Sequence, residues 1–385
     1  MKARKSVFIF MILVLTGITL FLGALYLYDP LQVFHKHWNR DNTLSGNMRQ
    51  QVVGMLNNYD YDSIILGSSH LENTSSKEAS SKLGGKFINI SISGSDYYER
   101  SKVLEYVLEK KPIKKIIYSM DNLEKVRWGH PKYPIKTFDY LYDNNPLNDF
   151  KVYMNDKYVK CLITFSKKTR CIGYKLNLDR PKAWFNKKHH ADRFGGLENW
   201  FKGKNSKQAI NGYKNISNIA HNVKMNKKIS GKQIDKKLLE TKKYIYDYII
   251  YYVEKYPTTE FILILPPYPR LKFAMNAQYN INNFKVYKEM ILYIAKQSKT
   301  LDNLKLYGWG NRTFMDDIKN YKDTSHYSHH INSFMLDDIQ KDTGLINNSN
   351  IKEYLSIITE KAIAFDLVDF GQRVDGYLKS IDYKK

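Results

Sequence analysis

An uninterrupted apolar run near the N-terminus limits the architectures open to this chain of 385 residues. Residues 6–28 read SVFIFMILVLTGITLFLGALYLY and contain no charged side chain. As a helix, the run is about as long as the hydrocarbon core of a bilayer is thick, roughly 30 Å. Basic residues tend to stay on the cytoplasmic side, so we expect a cytoplasmic N-terminus with the rest of the chain outside. The basic residues that precede the run are Lys2, Arg4 and Lys5.

A cleaved signal peptide is the alternative interpretation of this run. Its apolar region would be shorter, about 7–15 residues, and a cleavage site with small residues would follow. Bulky side chains fill positions 25–28 instead, which favours an uncleaved anchor. We therefore predict a cytoplasmic tail at 1–5, one transmembrane helix at 6–28 and a connector at 29–59. No later stretch of the sequence is apolar enough to span a membrane again.

After the anchor, short apolar runs alternate with helical patterns. Such runs are typical of buried parallel strands, and their alternation with helices indicates a parallel sheet covered on both faces. The five predicted strands are 63–67, 87–91, 116–120, 261–265 and 303–309. The predicted helices are 46–58, 73–84, 95–111, 235–256 and 281–298. The predicted fold class is α/β, a three-layer sandwich around a roughly five-stranded parallel sheet.

Residues 123–235 interrupt this alternation. The segment is rich in Lys, Asn, Tyr and Trp and has no clean strand pattern. We interpret it as a mostly helical, basic insertion that forms a cap over the site; a surface excursion without a role is the alternative. The α/β domain then has a first half at 60–122 and a second half at 236–385. The aromatic cluster that favours packing of the insertion is Trp184, Phe185, Phe194, Trp200 and Phe201.

The charge balance of the chain is strongly basic. Lys and Arg number 61 against 38 Asp and Glu, which gives a formal net charge of +23. Two interpretations fit this excess: a compositional bias toward Lys, Asn, Ile and Tyr, or attraction to anionic polymers and lipid headgroups. The expected location outside the cytoplasm argues against nucleic acid as a partner.

The sequence gives no motif for a cofactor or a metal. Cys161 and Cys171 do not form a CxxC or Cys/His zinc pattern; outside the cytoplasm they form either a disulfide or two free thiols. No GxxxxGK[ST] phosphate loop occurs. The run Lys187–His190 would suit an anion or a metal, but its composition is that of a solvated basic run. We expect no cofactor and no metal.

A serine lies on the turn after the first predicted strand, in Gly67-Ser68-Ser69-His70. Sheets of this type bind ligands at the carboxyl ends of their strands, so Ser69 is placed where chemistry can occur. Gly67 permits a tight turn, and the N-terminus of the next helix offers N–H groups.

An Asp-x-x-His pair follows the fifth predicted strand, within 320–327. Asp323 and His326 lie in one loop, so the carboxylate can orient the imidazole, and the imidazole can accept a serine proton. The alternative for His326 is a surface histidine at a polar helix start. Together with Ser69, these two residues are the predicted catalytic set.

This order of motifs resembles the SGNH, or GDSL-like, hydrolase superfamily. Its first block is usually Gly-Asp-Ser, and Ser68 stands here where Asp is common. Gly-Ser-Ser is similar to the first block of membrane-anchored branches that act on bacterial cell-surface polymers, such as the alginate and peptidoglycan O-acetyltransferase partners and the teichoic acid D-alanylation protein. Asp29-Pro30 after the anchor and the sequence Asn-Tyr-Lys-Asp-x-x-His-Tyr also resemble the acyltransferase-associated branch.

The resemblance covers residues from about 60 to 345 without the insertion, and it implies a flavodoxin-like sheet. It assigns the nucleophile to Ser69 and the last block to Asp323 and His326. The family's second block holds a glycine whose N–H binds the oxyanion, and this role falls to Gly94, after the second strand.

The family's third block is usually Gly-x-Asn-Asp, whose Asn donates to the oxyanion. Here Asp121 and Asn122 occur in the reverse order and without the glycine. Asn122 is the candidate donor by position, and Asp121, at a buried strand end, is expected to order the site.

The resemblance implies an extracytoplasmic O-acyltransferase, acting through an acyl-serine on a cell-surface glycan or anionic glycopolymer. A membrane-bound O-acyltransferase that exports acyl groups is the implied donor partner. Two alternatives stay open: an esterase or deacetylase of the same substrates, and a non-catalytic, membrane-tethered glycan-binding or assembly protein with the same fold.

Overall fold

The computed structural model describes residues 2–38, 40–175, 177–200, 202, 206–223 and 231–382. Phe201 of the predicted aromatic cluster and part of the predicted insertion lie outside these residues. The chain divides into two compact units. The first unit comprises 1–60, 102–110 and 129–177, and the second comprises 61–101, 111–128 and 178–385.

Helix α1 (Lys2–Tyr28) presents its apolar side chains to the outside. Leu13, Leu15 and Leu20 are 62–69% exposed, and large exposed apolar patches mark contacts with a membrane or another protein. Within the described part of the chain, α1 is the only helix long and apolar enough to cross a membrane. The prediction of one such N-terminal helix is confirmed.

The chain turns sharply after α1, at a buried carboxylate. Asp29 adopts a positive φ of 29°. Its side chain accepts hydrogen bonds from the backbone N–H groups of Val33, Phe34 and His35 at 2.9–3.0 Å and from the Tyr153 hydroxyl. These bonds hold the segment that follows the helix against the rest of the first unit.

A two-stranded antiparallel ladder pairs β1 (Thr43–Leu44) with β5 (Tyr174–Lys175) in the first unit. Near it, Cys161 and Cys171 form a disulfide, which decides the alternative that the sequence left open. The pair fits an oxidising compartment.

The second unit is built on a six-stranded sheet. Its strands are β2 (Ser63–Leu66), β3 (Phe87–Asn89), β4 (Lys115–Ser119), β6 (Glu260–Leu265), β7 (Leu304–Gly308) and β8 (Leu345–Ile346). Their order in the sheet is β3-β2-β4-β6-β7-β8. The first five strands in this order are parallel, and β8 runs antiparallel to β7. Their side chains are almost all buried, as expected for strands covered on both faces.

Helices make up most of the rest of the described chain. The helices between α1 and β4 are α2 (Met48–Asn58), α3 (Ser76–Leu83) and α4 (Tyr97–Lys110). Those between β4 and β6 are α5 (Asp156–Ile163), α6 (Thr169–Ile172), α7 (Lys188–Ala191), α8 (Ser206–His221), α9 (Gly231–Ile245) and α10 (Tyr251–Lys255). The remaining helices are α11 (Arg270–Gln278), α12 (Ile281–Gln297), α13 (His329–Gln340), α14 (Ile351–Ala364) and α15 (Leu367–Asp382).

All five predicted strands occur, so the prediction of an α/β fold with a mostly parallel sheet is confirmed. The sixth strand, β8, was not predicted, because a two-residue strand carries no periodicity. The predicted insertion is divided between the two units: 129–177 belongs to the first and the described residues from 178 onward to the second.

The topology of the sheet predicts where a ligand site would lie. The chain passes from β2 outward to β3 and then returns to add β4 on the other side of β2. Ligand crevices in open α/β sheets form where the strand order reverses in this way, beyond the carboxyl ends of the strands. The turns after β2 and β4 both lie at that point.

Candidate active site

The turn after β2 is built by close packing. A Cβ at Gly67 would lie 2.8 Å from the Leu71 side chain and 2.9 Å from Ser119 Cβ, so only glycine fits. The chain continues in tight turns, and α3 begins at Ser76, beyond the predicted helix start at 73. Ser69 is half-buried on this turn, where a substrate can reach it.

The loop before α13 carries the Asp-x-x-His pair. The carboxylate of Asp323 accepts hydrogen bonds from the backbone N–H groups of Ser325 and His326 at 2.9 and 2.8 Å. The Lys322 N–H donates to the His326 carbonyl at 3.1 Å. The loop therefore folds around its own carboxylate.

The structure brings the three predicted catalytic side chains together. Ser69 Oγ lies 2.9 Å from His326 Nε2. His326 Nδ1 lies 2.9 and 3.0 Å from the two carboxylate oxygens of Asp323. This chain of contacts has the geometry in which an oriented imidazole accepts a hydroxyl proton.

The protonation states suit that arrangement. Burial lowers the pKa of His326 below its ordinary value, although Asp323 opposes this shift. Burial acts to raise the pKa of Asp323, but His326 and Lys322 together hold it well below the usual range. Near neutral pH the imidazole is therefore free to accept a proton, while the carboxylate stays ionised.

A second histidine lies directly beside the first. His70 is buried, and its Nδ1 is 2.7 Å from Asp121 Oδ1 while its Nε2 is 3.1 Å from the Ser325 carbonyl oxygen. Ser68 Oγ also lies 2.9 Å from Nδ1, so the ring is held by contacts at both of its nitrogens. Sequence analysis does not assign His70 a role, because a histidine beside a serine is not a motif. The signal that could have found it is the Asp at the end of the neighbouring strand.

The Asp121 carboxylate contacts several buried polar side chains beside His70. It accepts a hydrogen bond from Ser68 Oγ at 3.0 Å and lies 3.2 Å from the fully buried guanidinium of Arg100. Burial opposes ionisation, but the hydrogen bond and charge of His70, with the charge of Arg100, lower the pKa of Asp121 to about 2. Asp121 thus contacts Ser68, His70 and Arg100, and its predicted role in ordering the site stays a prediction.

The two predicted oxyanion residues follow the carboxyl ends of neighbouring parts of the sheet, Gly94 after β3 and Asn122 after β4. Gly94 adopts a left-handed φ of 67° in a loop whose Ile92 N–H donates to the Gly67 carbonyl at 2.8 Å. Asn122 also has a positive φ, of 50°. Its side-chain oxygen accepts a hydrogen bond from Lys272 at 3.3 Å, so this amide is oriented by a cation.

Residues 184–200 of the predicted insertion pack against the site. Trp184 Nε1 donates to the Ser69 carbonyl at 2.9 Å, and its ring meets the His326 ring edge-on at 5.7 Å between centroids. Arg193 lies 3.9 Å from the Asp323 carboxylate. Lys322 Nζ sits 3.8 Å above the Trp184 ring. This segment therefore forms a wall of the site.

A buried acid lies three residues after the candidate nucleophile. Glu72 is 4% exposed. Burial raises its pKa to about 7, although Lys182, Lys322 and Lys187 oppose that shift. Burial acts on the lysines of this wall as well: it lowers the pKa of Lys322 to about 8 and also lowers that of Lys182.

The basic run at 187–190 joins this wall. His190 Nδ1 lies 3.1 Å from Lys322 Nζ, and burial lowers the pKa of His190 to about 3. Among the described residues, no group of three or more His, Cys, Asp or Glu is arranged to hold a metal ion.

Comparison with known proteins finds no matching family model, no matching characterised protein and no matching solved structure.

Proposed function

We propose that this chain is an extracytoplasmic O-acyltransferase that uses Ser69 as its nucleophile, on a flavodoxin-like, three-layer sheet of the SGNH type. The single observation that carries the proposal is the 2.9 Å contact between Ser69 Oγ and His326 Nε2, with Asp323 on the other ring nitrogen. A surface histidine has no reason to lie in such a chain of contacts.

The first half-reaction forms an acyl-serine. His326 Nε2 takes the proton of Ser69 as Oγ attacks the acyl carbonyl carbon, and the imidazolium is stabilised by Asp323. The backbone N–H groups of Ser69 and Gly94 hold the oxyanion, with Asn122 as a further donor by position. The intermediate collapses, the bond to the donor's leaving group breaks, and that group takes the proton from His326.

The second half-reaction selects the acceptor. A hydroxyl of the acceptor gives its proton to His326 and attacks the acyl carbon; the ester bond to Ser69 breaks, and Oγ recovers the proton. Transfer wins over hydrolysis only if the acceptor is held close to the acyl group. The wall that contains Trp184 is the proposed platform, and the exposed Lys187 and Lys188 on it suit a glycan or glycopolymer with anionic groups.

The proposed setting is the outer face of a membrane, with α1 as a single anchor and its N-terminus in the cytoplasm. The acyl donor would come from a membrane-bound O-acyltransferase that exports acyl groups. A reporter fused after Lys385 should then be active only outside the cytoplasm, and cytoplasmic activity would contradict this orientation.

Covalent labelling tests the nucleophile. A fluorophosphonate should modify the purified chain at Ser69, mapped by mass spectrometry, and Ser69→Ala should abolish labelling. Ser356→Ala, at an exposed serine of α14, is the matched control and should label normally. Labelling that survives in Ser69→Ala would refute the mechanism.

A product analysis separates transfer from hydrolysis. Incubation with an activated acetyl ester and an anionic glycan should give acetylated glycan, and Ser69→Ala should lower the rate by roughly 10³-fold or more. An unmodified glycan with full release of acetate would identify an esterase instead.

A further inference from the structure

A short segment beside the outer end of α1 exposes apolar and basic side chains together. It comprises residues 154–172, including α5 and α6, and the Cys161–Cys171 disulfide closes it. We refer to it as the stapled hairpin. Nothing in the proposed reaction uses it.

The stapled hairpin contacts the last turns of α1. The Tyr28 hydroxyl donates to the Ser166 carbonyl at 2.6 Å, and the Tyr28 ring meets Phe165 at 5.6 Å between centroids. Two turns earlier in α1, Phe21 shares a cleft of about 330 Å³ with Met154. The hairpin is thus held along the final two turns of the helix.

The position of these contacts along α1 sets their depth. Phe21 is 15 residues after the start of the apolar run at Ser6, or roughly 22 Å along the helix axis. A hydrocarbon core about 30 Å thick therefore ends beyond Phe21, near Tyr28. The hairpin meets α1 at the level of the outer interface.

The exposed surface of the hairpin has the composition that such an interface favours. Met154, Ile163 and Phe165 are 56, 77 and 50% exposed. Five basic residues accompany them, against one acidic residue, Asp156, and all five side chains are exposed. They are Lys157, Lys160, Lys167, Lys168 and Arg170.

We propose that the stapled hairpin inserts its exposed apolar residues, Met154, Ile163 and Phe165, into the outer leaflet of the membrane and binds anionic phospholipid headgroups with its basic residues. This inference rests on the anchoring of α1 that the proposed function includes. A bilayer is favoured over a protein partner because the exposed apolar residues lie in a segment that contacts the last turns of the apolar helix α1, and because the basic excess matches phosphate headgroups.

Depth-dependent quenching tests the proposal on the full-length protein in lipid nanodiscs that contain anionic phospholipid. Ile163→Cys is labelled with an environment-sensitive fluorophore, and the lipids carry a shallow nitroxide quencher. Interfacial segments bury about 5–10 Å into the boundary region, so we expect roughly twofold or stronger quenching at this position. Met154→Cys provides a second site should the first variant fold poorly.

A label at Leu15→Cys, on the exposed face of α1, separates failure of the hairpin from failure of the anchor. It should be quenched by a deep acyl-chain nitroxide. Quenching at 15 without quenching at 163 would overturn the hairpin proposal alone, and quenching at neither position would overturn the anchor as well. A label at 163 that is shielded in native membranes but not in nanodiscs would assign the surface to a protein partner and refute the lipid assignment.

The charge contribution has its own matched control. Lys160→Gln with Lys168→Gln should reduce the quenching at 163 in anionic nanodiscs. Lys132→Gln with Lys136→Gln removes two exposed charges of the same unit outside the hairpin and should leave the quenching unchanged. Equal effects of the two pairs would contradict headgroup binding by the hairpin.

Discussion

The imidazole rings of His70 and His326 lie stacked, 5.1 Å apart between centroids and 14° from parallel. One ring contacts Ser69 and is free to take a proton. The other is held between a carboxylate and the carbonyl of Ser325, the residue just before His326. His70 thus supports the loop of the candidate base. Burial is the main cause that lowers the pKa of His326, and the electrostatic effect of His70 adds to it.

The pH dependence of activity follows from His326. Only the neutral imidazole accepts the serine proton, and burial lowers its pKa from the ordinary value of 6.5. We expect kcat/KM for an activated acetyl ester to fall with decreasing pH only below 6.5. Lys322→Gln removes a positive charge that lowers this pKa, so the acid limb should move to higher pH. Lys319→Gln, at an exposed neighbouring lysine, should not move it.

Replacement of His70 should separate positioning from catalysis. His70→Asn loses the bond to the Ser325 carbonyl, so we expect kcat to fall by about 10–100-fold, as for lost partners that orient a functional group. It also loses the electrostatic effect of His70 that lowers the pKa of His326, so the acid limb should move to higher pH. A purely structural role would lower the amount of folded protein without moving the limb. His330→Gln, at an exposed histidine of α13, should leave both quantities unchanged.

Asp121 should contribute to stability in a pH-dependent way. Asp121→Asn leaves Arg100 and His70 buried without their carboxylate, and we expect a loss of about 3–5 kcal/mol in the free energy of unfolding. The pKa of Asp121 is lowered on folding, to about 2. Its contribution is therefore complete above the unfolded pKa of about 4 and is lost as the pH falls toward the folded value.

Denaturant unfolding of the wild type and the variant between about pH 2 and 7 measures this contribution. The difference between the two proteins should shrink as the pH decreases. Asp302→Asn, at an exposed aspartate, should change stability by less than about 0.5 kcal/mol. A difference that stays constant with pH would show that the carboxylate charge is not the source of the stabilisation.

The disulfide should stabilise the stapled hairpin. It closes a loop with a sequence separation of 10, for which chain entropy gives about 2–3 kcal/mol. We expect reductant, or Cys161→Ala with Cys171→Ala, to make residues 154–172 more sensitive to a protease. Reductant should have no further effect on the double variant, and unchanged protease sensitivity in both cases would show that the disulfide adds no local stability.

The parallel sheet was predictable because each strand is a run of β-branched and apolar residues with turn residues at its ends. The candidate triad was predictable for a related reason: carboxyl ends of parallel strands meet at one edge, so residues far apart in sequence, Ser69 and His326, had to lie near each other. In both cases a local sequence pattern predicts a contact between distant residues: the pairing of the strands in one case and the Ser69–His326 contact in the other.

The first unit could not be predicted in this way. Its β1–β5 ladder pairs residues about 130 positions apart through strands of two residues each, and neither strand has a pattern of its own. The second histidine was missed for another reason: what makes His70 notable is the arrangement of acceptors around it, which only the folded chain provides.

The carboxylate of Asp29 has a mechanical consequence. Flexible linkers let an anchored domain drift over a range of heights above a bilayer, whereas here four hydrogen bonds gather the chain around one side chain at the first residue after α1. Between α1 and the rest of the first unit there is therefore no flexible joint at that point. In the proposed membrane setting, rotation or tilt of α1 would turn the rest of that unit with it, and the height of the unit above the membrane would be fixed.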